Sequence, residues 1–431
     1  MRAVLAGTFT LRFSTGLTGA MLAAYLAKLP EHGGVVVTAT TLALLHVAFY
    51  VSELVLSPLF GVLSDRIGHH RVMLLGPAFG AIAVVLTGLT TNLVILGGTR
   101  LLEGASTAAS VPSILGYIAL VTAGNELLRG KAAARFEGAT LAGIGVGFAI
   151  APLLFAALGP VAFFLNALVY GASFLIYRYG VEDRDADQRT AAHQAGGAQR
   201  IDIARYKTLL TTSHVWLLAP TWIAVNASIG VWFSQSIFQF SRPDSRFRDQ
   251  LLHRGFTPIE ISLAAVVIGL IFGAGLIYWG NRFKSLRRTT IILYGIGGGA
   301  ILVVAGVVVN HSAGLLVLVP AIAAAAAAVG LFVLAGATPA ALGLLADISE
   351  RFPSDRGAIM GLYSVFLAIG QIVGALIGGI AADWRGIDGL LLATMGLLLV
   401  AVVPLAQLRQ REHYVGGPTG PASLEDIEPA T

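Results

Sequence analysis

Arg100 and Glu103 are the only charged residues in the apolar run 93–122. They stand one helical turn apart, a spacing that puts both on one face of a helix. A charge in hydrocarbon is expensive, so residues of this kind are paired or functional. A carboxylate beside a cation switches between charged and neutral forms when the cation moves or a cationic substrate arrives, and that switch links proton release to substrate binding. Arg100 and Glu103 are therefore the leading candidates for proton coupling; a permanent, satisfied ion pair is the plainer alternative. Arg12 and Glu53 form a second set. Arg12 lies about eight residues from the start of the first run and Glu53 about eight from the end of the second, which places both about 12 Å from the cytoplasmic face, so an Arg12–Glu53 pair is geometrically reasonable. His46, Tyr50, Glu53 and Ser57 follow the i, i+4, i+7, i+11 spacing of one helix face. This polar stripe reads either as a proton or substrate path or, with Arg12, as a structural lock between the first two runs. Glu137 is expected to pair with Arg135 or a loop cation.

The elements that position these groups follow from composition. The chain has 431 residues, 56% hydrophobic and 12% charged; a soluble chain of this size carries about twice that charged fraction. It reads as a polytopic membrane protein embedded in a lipid bilayer. The absence of cysteine excludes disulfides, thiolate metal sites and thiol catalysis together. Runs long enough to cross the bilayer fall at 4–28, 38–60, 72–90, 93–122, 133–158 and 160–179, then at 214–240, 258–281, 289–310, 314–345, 357–381 and 389–408. The length of the first run, and the many later ones, favour an uncleaved first helix over a signal peptide. An open sheet would leave backbone groups unpaired in lipid, so the expected fold class is all-α integral membrane, with twelve transmembrane helices. Domains are expected at 1–180 and 214–408, joined by a cytoplasmic linker at 181–213 and followed by a disordered cytoplasmic tail at 409–431. Within the linker Ile201–Leu210 is a candidate surface helix.

With both termini cytoplasmic, Lys and Arg concentrate on the inside, and the outside keeps Lys28, Arg242, Arg246, Arg248, Arg254 and Arg385. The net charge of +5 is then topology, and no nucleic-acid partner is needed to explain it. An internal repeat supports six plus six. Counted from Arg129-Gly130 and Arg356-Gly357, the residues Gly143, Gly147, Ala151 and Pro152 fall in phase with Gly370, Gly374, Gly378 and Gly379. A small residue every fourth position lets two helix backbones approach closely and rock. Asp65-Arg66 after the second run is matched by Asn281-Arg282 after the eighth, with Lys284 in place of a glycine.

The charged knot between the second and third runs holds Gly61, Asp65, Arg66, Gly68 and Arg71, and desolvation cost makes it a short loop at the membrane surface. Gly68 can supply a left-handed turn there, and Gly61 leaves room for a neighbouring helix. This order resembles the loop between helices 2 and 3 of the major facilitator superfamily of transporters. Arg100-Leu-Leu-Glu-Gly104 resembles the superfamily's second motif. Gly143–Pro152 resembles the motif of its drug:proton antiporters, with Ala151-Pro152 where Gly-Pro is typical. The resemblance covers most of residues 1–408 and implies two pseudo-symmetric six-helix bundles working by alternating access. It also implies a conformational latch at Gly61, Asp65, Arg66, Gly68 and Arg71.

The C-terminal half supplies aromatic and amide groups in place of buried acids. Trp222 and Asn226 share one face of the seventh run, Trp232, Gln235 and Gln239 another, and Tyr363 and Gln371 stand in the eleventh. Asn226, Gln371, Trp222, His46 and Tyr50 are the candidate substrate contacts, whereas Trp232 is expected at the outer interface. The long basic stretch 241–257 reads as a solvated loop. Other motifs fail. Gly124–Ala132 has one residue too many between its glycines for a phosphate loop, the glycines at 143–147 follow no strand, and His69-His70 reads as a solvated surface pair without further metal ligands.

No metal, cofactor or catalytic constellation is expected, so the chain is not read as an enzyme. The expectation is a monomeric multi-pass transporter of the cytoplasmic membrane that exports a small amphipathic compound in exchange for protons. Nutrient or organic-anion uptake is the alternative within transport, and a non-transporting membrane sensor or assembly factor the alternative outside it.

Overall fold

The computed structural model describes residues 1–122, 126–183, 215–284, 286–350 and 356–410. Most of the expected linker, including Ile201–Leu210, and most of the tail lie outside these residues. So do Gly124 and the side chains of Arg129, Lys284, Arg356 and Tyr363. The described residues form helices and turns without a strand, as the hydrocarbon environment demands.

The helices are α1 (Arg2–Ala27), α2 (Ala39–Ile67), α3 (His69–Gly88), α4 (Leu93–Val121), α5 (Glu126–Leu158) and α6 (Val161–Gly180). After them come α7 (Val215–Ser241), α8 (Pro258–Gly280), α9 (Arg288–Asn310), α10 (Leu318–Leu334), α11 (Ala337–Glu350) and α12 (Arg356–Gln410). Among the described residues nine helices are long and apolar enough to cross a membrane. Among the described residues side-chain caps start three of the helices: Thr38 accepts from the Thr41 N–H, Asn92 from those of Val94 and Ile95, and Thr257 from that of Glu260 before α8.

Two boundaries differ from the expected ones. The charged knot is not a loop, because α2 continues to Ile67 and α3 begins at His69. Only Gly68 separates them, at φ 104°, a conformation glycine adopts without the cost that a side chain brings. The run 314–345 is broken at Ala335-Gly336 into α10 and α11, where a Cβ on Gly336 would meet the Trp279 ring. The expected runs 357–381 and 389–408 are two helices, numbered together as α12, that meet at a hinge where Arg385 and Gly386 leave helical geometry.

The chain divides into two compact units. Unit 1 holds Met1–Ile201, Ser234–Asp244 and Arg254–Val266, and unit 2 holds Asp202–Phe233, Ser245–His253 and Val267–Thr431. In unit 1 α1 packs along α5, and a Cβ on Gly143 or Gly147 would run into the α1 backbone at Phe9 and Phe13. In unit 2 the corresponding glycines of α12, Gly370 and Gly374, press on α7 at Asn226 and Ala227. The sequence repeat is thus a repeat of packing: in each unit the fourth-residue glycines admit the unit's first helix.

Candidate functional site

Unit 1 gathers the buried charge. Arg100 and Glu103 form an ion pair inside α4, their side chains 4% and 1% exposed. Arg100 also lies 4.8 Å over the Phe49 ring of α2, which suits a guanidinium without water. Its Nε is buried and has no hydrogen-bond partner among the described residues. Glu103 is gripped from two other helices. Tyr170 of α6 donates to its Oε1 at 3.4 Å, and Thr18 of α1 reaches it as well. His46 lies within the field of Arg100 and near Tyr50, with ring centroids 6.4 Å apart.

The α6 groups around Glu103 escaped the reading of motifs. Asn166, Tyr170, Ser173 and Tyr177 are all buried and line one face of α6 against α1. Asn166 donates to Ser14 O and Thr18 Oγ1, Ser173 to Gly7 O, and Tyr177 to Thr8 Oγ1. Their spacing is that of the His46–Ser57 stripe, so the signal was available: a polar line at helical period facing a polar line on another helix.

Arg12 is buried on α1, but no ion pair joins it to Glu53 among the described residues. Depth along two helices does not fix the angle at which side chains face each other. Arg12 acts electrostatically on Glu53 from α2 and on Glu137 from α5, so one cation serves two carboxylates. Ser57 donates to the Glu53 carbonyl at 2.6 Å.

At the α2–α3 junction Asp65, Arg66 and Arg71 are exposed. The partner of Asp65 is His69, 3.9 Å away, and no ion pair joins it to Arg66 or Arg71 among the described residues. Gly61 is not a close-approach position, since a Cβ there would only touch Pro112 at 3.8 Å. The expected solvated histidine pair is corrected. His70 is buried with Nε2 3.0 Å from Tyr177 O, and His69 lies against Gly116 with Nδ1 3.2 Å from Ser64 Oγ. Both sit in the first turn of α3, whose direction carries them into the bundle.

The candidate substrate contacts of unit 2 are packed rather than displayed. Trp222, Asn226 and Gln371 are all buried. Asn226 donates to Trp222 O at 2.9 Å, and Gln371 lies against Gly230. Trp232, expected at the outer interface, is half-buried, and its indole N–H donates to Thr394 Oγ1 at 2.9 Å. Gln235 is buried within unit 1, donating to Ala39 O at 3.0 Å.

A family profile described as the Major Facilitator Superfamily matches residues 4–244 and 249–424. The chain belongs to the Major Facilitator Superfamily. Like the family, it is a multi-pass membrane transporter of small molecules and not an enzyme. Among the relatives of this superfamily member is Multidrug resistance protein 2 of Bacillus subtilis (strain 168), 27% identical over 360 residues and covering 80% of each chain. Quinolone resistance protein NorA of Staphylococcus aureus (strain MSSA476) is 23% identical over 422 residues, covering 94% of this chain and 95% of NorA. In fold it is similar to the nucleoside transporter NupG, with TM-score 0.68, 12% identity and coverage of 95% and 98%. The peptide transporter POT in complex with alafosfalin gives TM-score 0.68, 15% identity and coverage of 96% and 95%.

Proposed function

We propose that this transporter exports a small amphipathic compound in exchange for protons, with Arg100 and Glu103 as the coupling pair. The observation that carries the proposal is the burial of that ion pair in α4, held by Tyr170 from α6 and Thr18 from α1. An ion pair sealed from water is stable only while both partners stay in place. When substrate or a helix movement draws Arg100 away, a proton replaces the guanidinium as the partner of Glu103. When Arg100 returns, the proton leaves. Arg12, Glu53, His46 and Tyr50 extend the same polar system. The similarity to a multidrug resistance protein and a quinolone resistance protein supports export of amphipathic compounds.

In this reading the protein is a monomer of the cytoplasmic membrane with both termini inside. Residues 1–180 and 214–408 rock about the linker 181–213 in alternating access. Asp65, Arg66 and Arg71, with Gly61 and Gly68, form the cytoplasmic latch, made in one state and released in the other. Trp222, Asn226 and Gln371 contact substrate when the packing of α7 against α12 loosens. The unpartnered Nε of Arg100 is the observation that favours the second reading, uptake of an organic anion.

The test is transport by the purified chain in proteoliposomes with an imposed pH gradient, using lipophilic cations and organic anions as separate panels. Proton-coupled export predicts gradient-driven accumulation of a lipophilic cation, abolished by a protonophore. Accumulation of anions alone would replace it by the second reading, and substrate flux indifferent to the gradient would remove the proton from the mechanism.

A further inference from the structure

One end of unit 2 carries a built polar assembly that the transport reading does not use. The stretch expected as a solvated loop is folded into two short 3-10 turns, Ser245–Phe247 and Leu251–His253. Between them Gln250 is buried; its amide donates to Arg385 O at 2.9 Å and accepts from the Ile387 N–H at 2.9 Å. This ties the loop to the α12 hinge, where Gly386 stands at φ 58° and a Cβ would strike Phe247, Gln250 and His253. Asn310, fully buried at the end of α9, accepts from the Leu252 N–H at 3.0 Å and donates to Asp388 Oδ1 at 2.8 Å.

Two buried amides thus hold a loop, a helix end and a hinge together, and three metal-ligating side chains project from this frame toward water. His311 caps α9, Asp388 follows the hinge, and Asp249 stands in the loop. One ligand atom from each lies within 4.8 Å of the others. His311 Nε2 is 2.9 Å from Asp388 Oδ2, and its Nδ1 is 3.9 Å from Asp249 Oδ2. The side chains of Asp388, His311 and Asp249 are 26%, 38% and 72% exposed.

We propose that Asp249, His311 and Asp388 form a binding site for a divalent transition-metal ion of the Zn2+ class. One imidazole and two carboxylates are a borderline donor set suited to such an ion, with a fourth position left for water. Metal–ligand bonds of about 2.0–2.2 Å put neighbouring ligand atoms about 3–3.5 Å apart, close to the His311–Asp388 separation already present. Of the two ring nitrogens of His311 the metal takes Nε2; Asp249, the most exposed of the three, now has Oδ2 3.9 Å from Nδ1 and reaches the Nε2 side by rotating its side chain. Asn310 holds Oδ1 of Asp388 from behind, as a partner behind a metal-bound carboxylate does, while Oδ2 faces His311 Nε2 at 2.9 Å. Imidazole discriminates against Mg2+ and Ca2+, which take all-oxygen sets. An occupied site joins the 245–253 loop to the α12 hinge through the metal as well as through the two amides.

The experiment uses the full chain in detergent, with any polyhistidine tag removed, stripped with a chelator and titrated with ZnCl2 or MgCl2 while thermal unfolding is followed. Zn2+ is expected to raise the melting temperature of the wild type at micromolar concentration, and Mg2+ to leave it unchanged. Asp249→Asn and His311→Gln are each expected to melt like the wild type in chelator but to need more than about tenfold more Zn2+ for the same shift. His32→Gln in unit 1 keeps the full response. The proposal is overturned if Zn2+ has no effect up to millimolar concentration, if Mg2+ acts equally, or if both variants respond as the wild type does.

Discussion

Glu103 draws its partners from three helices: Arg100 in its own, Thr18 in α1 and Tyr170 in α6. Removing one partner exposes the asymmetry of buried charge. Arg100→Ala is expected to destabilise by about 3–5 kcal/mol, because it leaves a carboxylate unpaired. The double variant Arg100→Leu/Glu103→Leu recovers most of that loss while abolishing transport; melting temperatures of the two in the same detergent check the difference. Tyr170→Phe removes one interhelical hydrogen bond and is expected to cost only about 0.6 kcal/mol. The Arg100–Glu103 pair was legible because its spacing lies within one helix, where sequence separation is distance. Arg12 was not, because its relation to Glu53 crosses between helices, and the structure shows Glu137 sharing the same cation. His70 was misread for a related reason: residue type identifies a histidine at a membrane surface, but only the start of α3 turns it inward onto Tyr177 O.

Gly143 and Gly147 show how much an element can be read from period alone. Their fourth-residue spacing implied a close helix neighbour, and α1 lies there, touching at Phe9 and Phe13. Gly147→Val is expected to cost about 1–3 kcal/mol by forcing these backbones apart. Gly145 faces open space, so Gly145→Ala is expected to gain up to about 1 kcal/mol from helix propensity. Melting temperature and yield of the two variants separate packing from propensity. Element boundaries were harder. At the α10–α11 break Pro339, in the first turn of α11, is the sequence signal that a helix starts there; Gly336 is one glycine among 52, and its meaning comes from Trp279. The α2–α3 junction was expected as a loop because its charges exclude hydrocarbon, yet a helix can carry charge past the membrane surface on its last turns.

The two units repeat one another in packing, with glycines of α5 on α1 and of α12 on α7. That much followed from sequence because a duplicated helix pattern leaves a duplicated residue pattern. The distribution of function did not follow: unit 1 concentrates the buried ion pair, whereas unit 2 keeps its candidate contacts packed. Orientation is open to a clean test because the chain has no cysteine. Cysteine introduced at Glu31 is expected to react with an impermeant maleimide in intact cells, and cysteine at Asp183 only after permeabilisation. Asp65→Asn is expected to lower turnover severalfold while leaving substrate affinity near the wild-type value, since a latch acts on exchange between states; parallel flux and binding assays read the two. The central claim is that Glu103 carries the proton, and Glu103→Gln in proteoliposomes tests it most directly. The account predicts that the variant still exchanges labelled for unlabelled substrate but no longer accumulates it against a gradient when a pH difference is imposed. Accumulation at the wild-type level in Glu103→Gln would contradict it and return the α4 pair to a structural role.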